Sequence, residues 1–144
     1  MKFQESITLT NKLEELHKLA VFIEQLNRKW KIPAKIGMNI DLALEEIITN
    51  TIHYGYSDHL PHFINVEFNF NKSVNEIWIK VVDDGNPFNP YSAEIPDVHV
   101  TEVAKRKVGG LGIYLAAKLM DKFEYEWIDN KNVLTLRKII EDNN

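Results

Sequence analysis

Asp41-Leu-Ala-Leu-Glu-Glu-Ile-Ile-Thr-Asn-Thr-Ile-His-Tyr-Gly-Tyr56 decides how the rest of this chain is read. Leu44, Ile47, Ile48 and Thr51 recur at helical spacing, so one face of the segment reads as apolar. Glu46 and Asn50 lie four residues apart and project together from a second face. A carboxylate in that position is a candidate general base. A carboxamide oxygen is a hard donor suited to Mg²⁺. Tyr54-Gly55-Tyr56 stops the helix directly after the pair. Taken singly, Glu and Asn on a solvated helix face are ordinary, and two further stretches give them meaning.

Composition bounds the class of protein. The sequence has 144 residues, 44% hydrophobic and 26% charged, which suits one soluble globular domain with a real core. A formal charge of -4 supplies no basic footprint for nucleic acid. Without cysteine there are no disulfides, thiolate metal sites or Cys nucleophile, and a reducing compartment fits. Met1–Thr10 lacks the apolar core of a signal peptide, and no run reaches membrane-spanning length. The expectation is a single cytoplasmic domain over residues 1–144 with no membrane partner.

Working outward from the helix, Phe3, Glu5, Ile7 and Leu9 alternate with polar residues as in a strand. Asn11 with Glu14 resembles a capping box, and Leu13, Leu16, Leu19, Ala20, Ile23, Leu26 and Trp30 mark a first helix ending before Pro33. Such a stripe faces a core rather than a ligand. The second helix spans about Ile36 to Tyr54. Phe63–Phe70 and Glu76–Asp83, rich in β-branched and aromatic residues, predict an antiparallel hairpin around Asn71–Asn75. Residues 89–107 hold two prolines, several charges and Lys105-Arg106-Lys107, and lack any clear period. A segment of that length in so small a domain is usually functional or disordered. A third helix is expected over Gly110–Asp121, then strands Lys122–Ile128 and Asn132–Ile139 about the turn Asp129–Asn132.

The second informative stretch is Val81-Val82-Asp83-Asp84-Gly85-Asn86-Pro87-Phe88. Asp83 sits where a strand runs into a turn, and its carboxylate can accept from an exocyclic amine of the kind adenine carries. Gly85 lacks the Cβ that would keep a flat base away, and Phe88 could wall the pocket. Asp-Gly and Asn-Pro are also common turn dipeptides. The third stretch, Val108-Gly109-Gly110-Leu111-Gly112-Ile113, opens a helix. Amides at a helix N-terminus favour an anion such as phosphate. It is neither a Walker A loop nor GxGxxG. A flexible hinge before a helix is its other reading. The five histidines form no metal constellation, and no serine lies in a nucleophile elbow.

In this order and spacing the three stretches resemble the Bergerat-type ATPase/kinase superfamily of gyrase, the Hsp90 chaperone, histidine kinases and mismatch-repair ATPases. They are most similar to its bacterial anti-sigma-factor serine/threonine kinases. Glu46-Ile-Ile-Thr-Asn50 with His53-Tyr-Gly-Tyr56 matches the family's N-box, and Asp83-Asp-Gly85-Asn-Pro-Phe88 its Asp-x-Gly-x-x-Phe box. Gly109-Gly110-Leu111-Gly112-Ile113 matches the Gly-rich box, and Met120-Asp121 the end of its helix. Tyr54 stands where these kinases often have His, and no phospho-acceptor His box of a sensor kinase is present.

The resemblance implies an α+β two-layer sandwich, a mixed, largely antiparallel sheet with helices on one face, and a lid at about residues 89–108. It implies ATP and Mg²⁺. Asn50 would hold the metal, Asp83 would bind the adenine amino group, and the backbone of Gly110–Ile113, with Gly109, would hold the phosphates. Glu46 would orient or deprotonate the attacking hydroxyl. The implied activity is phosphoryl transfer to Ser or Thr of an anti-anti-sigma-type partner, with sequestration of a sigma factor in the nucleotide-bound state. A homodimer is compatible with the family, though no stripe marks its interface. The alternative is an adenine-nucleotide-binding regulatory module without kinase activity. Retention of Glu46 favours the enzyme, because a binder needs Asn50, Asp83 and the glycines more than a base.

Overall fold

Alternation in the strands and the helical period of the apolar stripes direct both sets of side chains at one boundary between two layers. The computed structural model describes residues 1–87 and 110–141. In chain order it contains β1 (Lys2–Thr10), α1 (Glu15–Lys29), α2 (Ala34–Tyr54), β2 (Phe63–Asn71), β3 (Glu76–Asp83), α3 (Gly110–Leu119), β4 (Lys122–Ile128) and β5 (Lys131–Ile139). Phe88, Gly109, the expected lid at 89–108 and the Lys105-Arg106-Lys107 run lie outside the described residues.

The five strands form one sheet in the order β1-β2-β3-β5-β4, antiparallel at every described pairing. Directly paired residues share a face. The register therefore sets Leu9, Ile64, Asp83 and Asn132 in one inward row, and Ile7, Val66, Val81, Leu134 and Tyr125 in the next. Ser6, Glu67, Lys80, Thr135 and Glu124 form a row on the opposite, polar face. Helices α1 and α2 supply Leu19, Ile23, Leu26, Ile40, Leu44 and Ile48 to the core against the inward rows. Phe22 meets Phe68 at a centroid distance of 5.6 Å, and Trp30 meets Phe70 at 5.7 Å. The expected α+β sandwich with its helices on one face is the fold observed. No helix among the described residues is long and apolar enough to cross a membrane.

Two local expectations change. Asn11 does not cap α1, which begins at Glu15 without a side-chain cap. Its Oδ1 instead accepts from the His62 backbone N–H at 3.0 Å, and its own N–H donates to the His62 carbonyl at 3.1 Å. Asn11 thus prolongs the β1–β2 ladder. The β4–β5 turn is also shorter than expected. Asp129 and Asn130, at φ 51° and 60°, make it by themselves, since two positive-φ residues suit a two-residue hairpin. Pairing resumes at Lys131, so Asn132 lies inside β5, opposite Asp83.

Ile79 is wholly buried in β3 between Phe68 and Leu136. Ile79→Ala is expected to cost about 2–5 kcal/mol in urea unfolding, from lost transfer energy and the cavity left behind. A cost below about 1 kcal/mol would contradict this packing.

Candidate functional site

Asp83 ends β3 on the inward row, only 7% exposed. An ionised carboxylate in that place needs donors. The Gly85 backbone N–H and the Asn132 Nδ2 each donate to its Oδ1 at 2.9 Å. Burial still pushes the Asp83 carboxyl above the usual carboxylate range, with neighbouring Asp84 adding to the rise and these two hydrogen bonds opposing it. Asn132 is itself held: its Nδ2 also donates to the Asn86 carbonyl at 2.9 Å, and the Tyr125 hydroxyl donates to its Oδ1 at 2.6 Å.

The turn after Asp83 is stitched to the end of α2. Asn86 donates its backbone N–H to the Gly55 carbonyl at 2.6 Å and its side-chain amide to the Ser57 hydroxyl at 2.7 Å. A Cβ on Gly85 would stand 2.6 Å from the Gly55 oxygen and 2.9 Å from Asp83 Oδ1. Gly85 is required by this backbone approach, before any ligand is considered. Beside the turn, the Tyr56 hydroxyl is buried and has no hydrogen-bond partner among the described residues. Burial, then the charges of Asp83 and Asp84, drive its acidity far below that of an ordinary phenol. A buried orphan hydroxyl is a group awaiting a polar partner.

At the middle of α2, Glu46 reaches α3. A Cβ on Gly112 would overlap the Glu46 carboxylate, so the absence of a side chain at Gly112 admits it. The carboxylate thus lies against the first turn of α3, whose backbone includes Gly110 and Leu111. Ile113 faces inward and is buried in the core. One turn beyond Glu46, the Asn50 Nδ2 donates to the Glu46 carbonyl at 2.9 Å, so that the carboxamide oxygen is turned away from this bond. Helix α2 is therefore the common support. Its centre carries Glu46 and Asn50 and packs on α3, while its end holds the Asp83–Asn86 turn.

Of the residues expected from sequence, Asp83 and Gly85 meet at one end of α2, and Glu46, Asn50 and Gly112 gather along it. Phe88 and Gly109 lie outside the described residues. Sequence reasoning missed Asn132, Tyr125 and His62. The Asp-Asn dipeptide at 129–130 held a usable signal that Asn132 lies inside β5, because a two-residue turn already pairs it with Trp127, while its place opposite Asp83 comes from the β3–β5 pairing. Among the described residues, no group of three or more His, Cys, Asp or Glu could hold a metal.

Residues 9–138 match the profile of a family described as the histidine kinase-like ATPase domain. The serine-protein kinase RsbW of Oceanobacillus iheyensis is 30% identical over 92 residues, covering 58% of this chain and 53% of that protein. The chain therefore spans about half the length of this relative. The crystal structure of the RsbU and RsbW domains of Rv1364c from Mycobacterium tuberculosis aligns with a TM-score of 0.66. That alignment covers 96% of this chain and 32% of the other at 11% identity, a likeness of fold.

His62 closes the loop beside the site. Its ring stacks on Tyr56 at 4.3 Å, with Nε2 2.6 Å from Asp58 Oδ1 and Nδ1 3.0 Å from Asp84 Oδ1. The hydrogen bond to Asp58, then that to Asp84, raises the His62 pKa above its ordinary value, and the same contact lowers that of Asp58. The histidine's contribution is complete below the unfolded value of about 6.5 and disappears as pH rises through its raised folded value. The aspartate's is complete above its unfolded value of about 3.9 and disappears as pH falls through its lowered one. The stability difference between the native chain and His62→Gln is accordingly expected to peak at about pH 4–6.5 and shrink above it. Urea midpoints across pH 4–8 test this, and a flat difference would exclude an ionic clasp.

Proposed function

This chain belongs to the histidine kinase-like ATPase domain family, and on that premise we propose that it is an ATP-dependent regulatory protein kinase. It transfers the γ-phosphoryl group of ATP to a serine or threonine hydroxyl of a small partner of the anti-anti-sigma type. In its nucleotide-bound state it sequesters a sigma factor. One observation carries the reading: a single helix, α2, supports both a buried carboxylate at a strand end and a second carboxylate against the first turn of α3. The exocyclic amine of an adenine nucleotide suits the first carboxylate, and its phosphates suit the first turn of α3, beside which the second stands. The related protein's name, serine-protein kinase, supports the choice of a hydroxyl acceptor.

Asp83 would accept from the exocyclic amine of adenine. Guanine presents an oxygen at the equivalent ring position, which a carboxylate repels. The buried Tyr56 hydroxyl fits a pocket whose polar groups are completed by a ligand or its water. Backbone amides of the first turn of α3, in Gly110–Ile113, would face the phosphates, where the helix dipole favours anions.

The Asn50 carboxamide oxygen, a hard neutral donor left on the far side of the amide from its bond to the Glu46 carbonyl, would be this chain's ligand to Mg²⁺, an ion that keeps much of its hydration and needs few protein ligands. When bound it supplies neutralisation of phosphate charge. Glu46, placed against α3, would take the proton of the acceptor hydroxyl as its oxygen bonds to the γ-phosphorus and the bond to the β-phosphate oxygen breaks, releasing ADP.

Calorimetric titration with ATP, ADP and GTP, with and without Mg²⁺, tests the binding half. Adenine-selective, Mg²⁺-dependent binding is expected, and no binding to folded protein would overturn the proposal. Asp83→Asn should weaken adenine nucleotides by about 1–3 kcal/mol through the lost charge-assisted bond. Glu46→Gln should bind ATP almost normally while transfer of labelled phosphate to the partner is abolished. Retained transfer in that variant would remove Glu46 as the base and leave only its contact with α3.

A further inference from the structure

Asp83 is held in an uneven way. Both protein donors, Gly85 N–H and Asn132 Nδ2, converge on Oδ1, and no donor to Oδ2 occurs among the described residues. We propose that Asn132 and Tyr125 are positioning residues for adenine: together they hold Asp83 by one oxygen and present the other to the exocyclic amine. The inference rests on the nucleotide-binding reading above and deepens it at that site.

Hydrogen-bond chemistry sets the direction of the chain. An ionised carboxylate only accepts, so the Asn132 amide must turn its NH₂ toward Asp83 and its oxygen away. That oxygen meets the Tyr125 hydroxyl, which donates to it at 2.6 Å. The two N–H groups of the amide are used on Asp83 Oδ1 and on the Asn86 carbonyl, both at 2.9 Å. One amide therefore fixes both the rotation of the acid and the path of the turn beyond it. Three strands take part: Asp83 lies on β3, Asn132 on β5 and Tyr125 on the edge strand β4.

Mutual reinforcement within such a chain makes the distal hydroxyl felt at the acid. Removing it frees the amide to rotate, and Asp83 loses part of the donation that opposes its burial. The carboxyl then ionises less readily, and a protonated Asp83 is a poorer acceptor for an amine.

The test uses the full chain, native and as Tyr125→Phe and Asn132→Leu, titrated calorimetrically with ATP and with purine riboside triphosphate, which lacks the exocyclic amine. Titrations are repeated from pH 5 to 8. The native chain should prefer ATP. In Tyr125→Phe that preference should fall about threefold to tenfold while affinity for purine riboside triphosphate holds, the size of one hydrogen bond's net effect. The pH below which ATP binding weakens should also move upward. Asn132→Leu should show the larger change. Should that variant fail to fold, Tyr125→Phe, which keeps the ring, decides alone. An unchanged ATP preference and pH profile in folded Tyr125→Phe would overturn the positioning role and leave the nucleotide-binding reading intact. An equal loss for both nucleotides would mark general loosening and likewise overturn it. Failure of the native chain to bind either nucleotide would overturn both.

Discussion

An acid buried at the end of an apolar row is the constraint on which the site depends. Asp83 occupies the same inward row as Leu9 and Ile64, where an unpaired carboxylate would be strongly disfavoured. It is tolerated because β5 brings Asn132 beside it and the following turn folds the Gly85 N–H back onto it. Both conditions follow from register. A slip of one residue between β3 and β5 would move Asn132 to the polar face and leave Asp83 with the Gly85 donor alone. That slip would also carry Leu134 and Leu136 of β5 from the core to the polar face, so the apolar alternation of β5 holds Asn132 beside the acid of another strand.

Helix α2 converts this local solution into a bipartite site. Its apolar face, through Leu44, Ile47 and Ile48, anchors it to the sheet, and its length sets the separation between what lies at its centre and what lies at its end. Gly55 accepts from Asn86 and abuts Gly85, while Glu46 lies against Gly112. Two glycines far apart in sequence thus serve the same helix, one yielding to a carbonyl and the other to a carboxylate. Neither is explained by ligand approach alone. The contacts that assemble the site also lock α2 to its neighbours, so changes at either glycine disturb architecture and chemistry together.

The polar groups around the turn are not arranged for maximal stability. Asp83 ionises less easily than a surface acid, and Tyr56 buries a hydroxyl with no partner among the described residues. Sites that must receive a ligand commonly retain such unsatisfied groups, whose hydrogen bonds are completed on binding. His62, clasped between Asp58 and Asp84 and stacked on Tyr56, braces the loop on the outside of that arrangement.

Local pattern was enough to read the helices, the strands and the three motif stretches. The apolar period of α2, the alternation of β2 and β3 and the glycines opening α3 are properties of neighbouring residues, and chain geometry alone converts them into faces and ends. For the same reason Glu46 and Asn50 were legible as a pair. Asn11 and Asn132 were misread because Asn is at home in caps and turns, and only strand pairing revealed that both bond across the sheet. Tyr125 and the inward contact of His62 carried no local signal, since those partners are 7 residues away in Asn132 and 22 in Asp84; only the bond from His62 to Asp58, four residues before it, is local. By itself the sequence determined which segments become helix and strand and which residues stand as candidates for a site. Only the tertiary structure decided how the acid is held and by which oxygen, because that depends on registers and contacts between strands distant in the chain.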